Sequence, residues 1–215
     1  MVRSKSRKKK NPVLRGIPNA SRRFDVVAVG ASAGGFHAIS GLLRPLPAEF
    51  PGSIVIVQHL YPTHESLLAN LLQSHTALLV KQAEHDEIML PGHVYIAPPD
   101  QHLLVGPGKI QLAHTRLVHF SRPSIDLLFE SVAGVYGSHS IGIILTGTLK
   151  DGSAGIRAIK EAGGVTMAQD PADAEFDSMP AAAMATGCVD YSLPLAKLGI
   201  TLNSLYAAGS AKPYG

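Results

Sequence analysis

The chain is short of several things, and each scarcity narrows what it is. Cys188 is the only cysteine among 215 residues, so neither an internal disulfide nor a cysteine metal cluster can form. A reducing, cytoplasmic setting is the expectation that fits. Long hydrophobic runs are also missing. The longest apolar stretches, such as "SIVIV" (53–57) and "IGIIL" (141–145), have strand length. A membrane span needs ~20 apolar residues, so no membrane insertion is expected. Acidic residues are absent from 1–23, where nine Lys/Arg stand. The remainder holds ten Lys/Arg against sixteen Asp/Glu, so the net charge of +3 belongs to a basic tail on an acidic globule. The tail lacks the apolar core of a secretory signal. It reads as a disordered, solvated leader, with contact to a polyanion or an acidic partner as the alternative. No specific nucleic-acid partner is expected.

What is present suits one well-packed domain over 24–210, since 46% of the residues are hydrophobic. Strand-like and helix-like segments alternate. "FDVVAVG" (24–30), "SIVIVQ" (53–58) and "IGIILTG" (141–147) are continuous Val/Ile-rich runs without the alternation of a one-sided sheet. Such runs are buried on both faces, as in a parallel sheet covered by helices. Apolar residues at helical spacing predict helices over 35–46, 64–75, 124–137, 153–164, 179–187 and 194–206. Further strands are expected at 78–83, 165–169 and 189–193. The middle, 84–122, differs: "HVYIAPP" (93–99), "HLLVGPGKIQLA" (102–113) and "RLVHF" (116–120) are short pieces broken by Pro and Gly, with a hairpin at the "GPG" of 106–108. The expected fold is α/β: a doubly wound, mainly parallel sheet between helix layers, Rossmann-like, with a small antiparallel hairpin insertion.

Ligands of open parallel sheets bind beyond the carboxyl ends of the strands. Three chemically interesting residues fall there: Ser32 after the first strand, His59 after the second and Asp151 after "IGIIL". They are the parts of a nucleophilic triad. A neutral imidazole takes the proton of a serine hydroxyl that cannot ionise unaided, and a carboxylate fixes the tautomer and stabilises the imidazolium. The string Gly30-Ala31-Ser32-Ala33-Gly34 also fits G-x-S-x-G, a tight strand-to-helix turn that exposes a nucleophile. The amides that follow, near the helix N-terminus, are candidates for an oxyanion hole.

Other readings compete. A dinucleotide loop would have Ser32 in place of its second glycine, crowding the pyrophosphate, and Gln58-His59 where a ribose-binding acid belongs. In the α/β-hydrolase order the acid precedes the histidine, but no histidine follows Asp151; Asp86, Asp100 or Asp126 would then have to serve, and none obviously ends a core strand. The ten histidines are scattered, His59 and His64 straddle a proline loop, and no H-E-x-x-H occurs, so no metal site is expected. The bland alternative makes Ser32 a turn residue, His59 a loop residue and Asp151 a helix cap before Gly152.

The motifs "VVAVGASAGG", "VQHL", "VYIAPPDQHLLV", "RPSIDLLFESVA", "GIILTGTLKDGSAGIRAIKEAGGVTMAQD" and "SMP" occur in that order. Together they resemble the catalytic domain of CheB, the chemotaxis protein-glutamate methylesterase, over roughly 24–205. Around "VQHLYPTHESLLANLL" and "PGHVYIAPPD" the likeness is to methylesterase domains fused to a methyltransferase. The resemblance implies hydrolysis of γ-glutamyl methyl esters on chemoreceptors, with release of methanol, and deamidation of certain receptor glutamines. It implies Ser32 as nucleophile, His59 as general base and acid, and Asp151 as orienting carboxylate, with no metal or organic cofactor. The implied partners are a methylated chemoreceptor or related sensory protein and a chemotaxis methyltransferase. The family's T-G-M-G-x-D-G segment reads Thr146-Gly147-Thr148-Leu149-Lys150-Asp151-Gly152 here, so Thr148 and Leu149 replace a methionine and a glycine. That departure is the one feature favouring the alternative of a non-catalytic, CheB-like binding module. The 23 residues before the first strand are too few for the receiver domain the family often carries, which needs on the order of 100 residues, so control by an attached receiver is not expected.

Overall fold

A computed structural model describes residues 24–59 and 66–210. The basic segment 1–23, and with it the expected tail, lies outside the described residues, as do His64 and the expected start of the second helix. Among the described residues no helix is long and apolar enough to cross a membrane.

Seven strands form one sheet in which every neighbouring pair is parallel. In chain order they are β1 (Val26–Ala31), β2 (Ser53–Gln58), β3 (Leu79–Gln82), β4 (His93–Ile96), β7 (Ser140–Ile144), β8 (Val165–Gln169) and β9 (Tyr191–Leu193). Their spatial order is β3-β4-β2-β1-β7-β8-β9. The chain thus fills one side of β1 with β2, β3 and β4, the last inserting between the other two, then returns to β7 and builds outward in the other direction. The switch point lies between β1 and β7, where open α/β sheets hold their ligands. The remaining strands, β5 (His102–Gly106) and β6 (Lys109–Ala113), make a separate antiparallel hairpin. The helices are α1 (Gly35–Leu43), α2 (Leu68–Gln73), α3 (Ile125–Tyr136), α4 (Ser153–Glu161), α5 (Ser178–Ala185) and α6 (Leu195–Ser210).

The continuous apolar runs have the predicted cause. Alternate residues of β1 serve two cores: Val27, Val29 and Ala31 pack with Ile39, Leu42, Leu198 and Leu202 of α1 and α6. Val26 and Ala28 pack with Leu128, Phe129, Ile156 and Ile159 of α3 and α4, together with Leu103 and Ile110 of the hairpin. All six residues of β1 are buried. Each fully buried Val, Ile or Leu stabilises by ~1.5–3 kcal/mol, so both faces must stay covered.

One sequence expectation is corrected. "HVYI" belongs to the parallel sheet, where Val94 pairs with Ile54 on one side and Val80 on the other; Gly92 and Pro98 around it simply end a short inner strand. Within "RLVHF" the chain turns sharply. Val118 and Ser121 pair across a two-residue turn, with bonds of 3.1 and 2.8 Å. Its central residues His119 and Phe120 both have positive φ, 50° and 64°. That is the geometry of a type I′ turn, which usually selects Asn-Gly, so His-Phe gives no sequence signal for it.

Candidate active site

The register places the site before any side chain is considered. Ala31 of β1 lies opposite Gln58 of β2, so Ser32 and His59 leave the sheet side by side. Gly30 lies opposite Ile144 of β7, whose following loop delivers Asp151. The His59 amide donates to the Ala31 carbonyl at 3.1 Å, and the Ser32 amide to the Thr146 carbonyl at 3.0 Å, extending the ladder one step beyond the strands on both sides.

Ser32 then sits in a tight turn. Gly34 (φ 73°) caps α1 in the left-handed region, which favours glycine. Gly147 comes so near the turn that a Cβ there would collide with the Met179 sulfur and lie 2.8 Å from the Ser32 Cβ. The buried Gln58 donates through Nε2 to the Ser32 carbonyl at 2.6 Å. The Thr146 hydroxyl lies 3.2 Å from the Ala33 carbonyl and accepts from the Phe176 amide at 2.8 Å. Among the described residues no group accepts from the Ala33 or Gly34 amides, which leaves both free beside Ser32 at the positive end of α1.

Ser32, His59 and Asp151 form a hydrogen-bonded chain. His59 Nδ1 lies 3.2 Å from Ser32 Oγ, and His59 Nε2 lies 2.9 Å from Asp151 Oδ2. The carboxylate can only accept, so Nε2 carries the hydrogen and the Nδ1 lone pair faces the serine hydroxyl. His59 keeps 20% of its side chain exposed, whereas Asp151 keeps 3%. A buried carboxylate needs compensation, and the sequence supplies it from a distant segment. Ser124 caps α3, and the start of that helix wraps the carboxylate. Oδ2 also accepts from the Ile125 amide at 2.8 Å; Oδ1 accepts from the Asp126 amide at 3.0 Å and the Ser124 hydroxyl at 3.1 Å. Burial alone would push the Asp151 pKa up, but the bonds from His59 and the two amides outweigh it and hold the carboxyl below its ordinary range.

Other candidates go elsewhere. Asp100 pairs with Arg122 and His114, and Asp86 lies beside His85 on the surface. Asp126 accepts from the Gly155 amide at 2.7 Å, and its partner histidine is His119 at 3.6 Å, not His59. Its pKa is raised by burial, with the neighbouring Asp151 charge adding to the effect. Asp151 does not cap α4; Gly152 does, in the left-handed region. Among the described residues no cluster of His, Cys, Asp or Glu could hold a metal ion. Ser124 and Gln58 are the site residues that sequence reading missed. The start of α3 was legible at Ser124, but not the carboxylate it would meet.

A cavity of about 320 Å³ opens beside the chain, with His59 and Asp151 in its wall next to His119, Phe120, Ser121, Leu149 and Lys150. A second cavity, about 370 Å³, lies behind the serine turn near His37, Thr146 and Glu175, and none of the three residues borders it. The replaced family residues fall in the loop between β7 and Asp151. Leu149 holds φ 66° and is 72% exposed, and Asp151 keeps its place on His59.

The fold and this constellation define a doubly wound α/β protein with a serine–histidine–aspartate arrangement at its switch point. The chain belongs to the CheB methylesterase family, whose model matches residues 27–202. The solved CheB methylesterase catalytic domain of Thermotoga maritima is 36% identical, with a TM-score of 0.81, covering 85% of this chain and 98% of that one. A relative from Leptospira interrogans, assigned as a protein-glutamate methylesterase/protein-glutamine glutaminase, is 41% identical over 81% of this chain and 91% of its own length. The protein-glutamate methylesterase FrzG of Myxococcus xanthus is 42% identical over 83% of this chain. The alignment spans 54% of FrzG, about half of its length.

Proposed function

We propose that the protein is a serine hydrolase that removes methyl groups from glutamate γ-methyl esters on chemoreceptor-type sensory proteins, releasing methanol. The observation that carries this reading is the bond chain from Ser32 through His59 to Asp151, in a chain that belongs to the methylesterase family.

The geometry supports the following sequence of steps. Ser32 Oγ bonds to the ester carbonyl carbon as His59 Nδ1 takes its proton. The Ala33 and Gly34 amides, free and at the N-terminal end of α1, meet the developing oxyanion. Asp151 stabilises the imidazolium through Nε2, and its own four bonds keep it ionised. The carbon–methoxy bond then breaks, and the proton on Nδ1 passes to the departing oxygen to give methanol. A water molecule next gives its proton to Nδ1 while its oxygen bonds to the acyl carbon. Ser32 leaves with that proton, and the glutamate carboxylate is restored. The same steps on a glutamine side chain release ammonia, which is the protein-glutamine glutaminase reaction.

The test is methanol release from methylated receptor membranes by the purified protein. Release that disappears in Ser32→Ala supports the reading. Release at the wild-type level in Ser32→Ala contradicts it.

A further inference from the structure

Three of the five non-glycine residues with positive φ among the described residues border the cavity beside His59: His119, Phe120 and Leu149. Two of them are large apolar side chains turned to solvent, Phe120 at 95% exposure and Leu149 at 72%. Each combines a backbone conformation that L-residues avoid with apolar surface left in water. Neither repays this by packing in a core. Strain of this kind concentrates where a side chain must be presented to something.

The geometry points to a specificity subsite: Phe120 and Leu149 form an apolar clamp that takes an apolar side chain of the substrate protein lying close to the esterified glutamate. This deepens the proposed function and rests on it. The cavity, at about 320 Å³, is about ten times the ~30 Å³ share of one water in the liquid. A methoxy group would leave most of it empty, whereas a neighbouring side chain fills it. Continuity with the reacting atoms decides the kind of occupant. His59 and Asp151 belong to the same wall, so whatever seats there lies beside the bond being cut. A second copy of the chain, or any permanent cover, would seal His59 from substrate. The clamp's two halves come from separate loops, the turn at 118–121 and the loop after β7, and Arg122 fixes the first by binding Asp100 through Nε at 2.8 Å.

The experiment uses the full chain and peptides carrying one γ-methyl-glutamyl residue. A single leucine is moved through the positions around it, and each peptide is compared with one carrying glutamine there. At one or more positions leucine should raise kcat/KM for methanol release by about tenfold or more, the scale of one seated apolar group. In Leu149→Gly and in Phe120→Asn that advantage should fall to about twofold or less. Both replacements tolerate positive φ, so the fold is kept. A second arm needs no turnover: the unesterified leucine peptide should protect Ser32 from a small serine-directed phosphonate better than the glutamine peptide does, and Leu149→Gly should abolish the difference. Protection without methanol from any peptide overturns the methylesterase reading and leaves the subsite standing. No leucine advantage in either arm overturns the subsite, as does an advantage equal in wild type and both variants. With a third set of peptides carrying glutamate at the scanned position, a preference for glutamate over leucine, drawn by Lys150, overturns it as well.

Discussion

Asp151 meets His59 at Nε2, and Ser32 meets it at Nδ1. The ring is therefore threaded in the opposite sense to the serine-protease template, where the carboxylate holds Nδ1. The chemistry is unchanged, because each nitrogen needs only one fixed partner. The consequence is that Asp151 alone decides that the lone pair faces Ser32. Asp151→Asn presents an amide hydrogen to Nε2 and favours the Nδ1–H tautomer, which cannot take the serine proton. Activity should fall by on the order of 10⁴, with the circular dichroism spectrum kept. Retention of more than a tenth of the activity would mean that tautomer control lies elsewhere.

The same carboxylate gives a signed dependence of stability on pH. Its pKa is lower folded than unfolded, so its contribution is fully present above the unfolded value of ~3.9 and is lost as pH falls through the folded value. In urea unfolding, the stability gap between wild type and Asp151→Asn should therefore narrow as pH is lowered from 7 towards 3. Asp126 runs the other way. Its pKa is raised by burial, so its charge costs stability at neutral pH and protonation relieves that cost. Asp126→Asn keeps an oxygen for the Gly155 amide, and should match or exceed wild-type stability at pH 7 with the advantage fading in acid. A gap that widens in acid for Asp151→Asn would contradict the assignment.

Ser124 ties helix formation to the site. Its side chain accepts from the Leu127 amide as cap of α3 and donates to Asp151. Ser124→Ala should cost about 1 kcal/mol from the lost cap and also lower kcat, since the carboxylate loses a donor. A stability loss with unchanged kcat would make Ser124 a cap only.

Leu149 trades stability for what it presents. The left-handed conformation costs an L-residue roughly 1–2 kcal/mol, and glycine returns about 0.5–1 kcal/mol of that through its greater freedom when unfolded. Leu149→Gly should therefore gain about 0.5–1 kcal/mol in denaturant unfolding. A destabilised variant would show that Leu149 contributes packing that outweighs its strain.

The parts that sequence reading located are those set by local pattern. Val26–Val29 and Ile54–Val57 read as doubly covered strands because burial on both faces removes alternation. Ser32, His59 and Asp151 stood out because each follows a strand, and the shared register of β1 and β2 turned that coincidence into contact. Other features depend on segments far apart in sequence. Nothing near Asp151 announces that the amides of Ile125 and Asp126 will bind it. Nothing in "RLVHF" announces a type I′ turn, because His119 and Phe120 hold it against their own backbone preference. The orientation of the His59 ring is likewise decided by which partner lies on which side, and spacing along the chain does not reveal that. The place of β4 in the parallel sheet is hidden because glycine and proline flank it, although its Val94 and Ile96 are among the most buried residues of the sheet.

The most direct measurement is the rate of methanol release from a γ-glutamyl methyl ester by wild type, Ser32→Ala, His59→Ala and the double variant. If Ser32 and His59 act as one unit, each single change should cost on the order of 10⁴ or more, and the double change should be scarcely worse than either. Losses that multiply in the double variant would contradict the account, because they would mean that Ser32 does its work without His59.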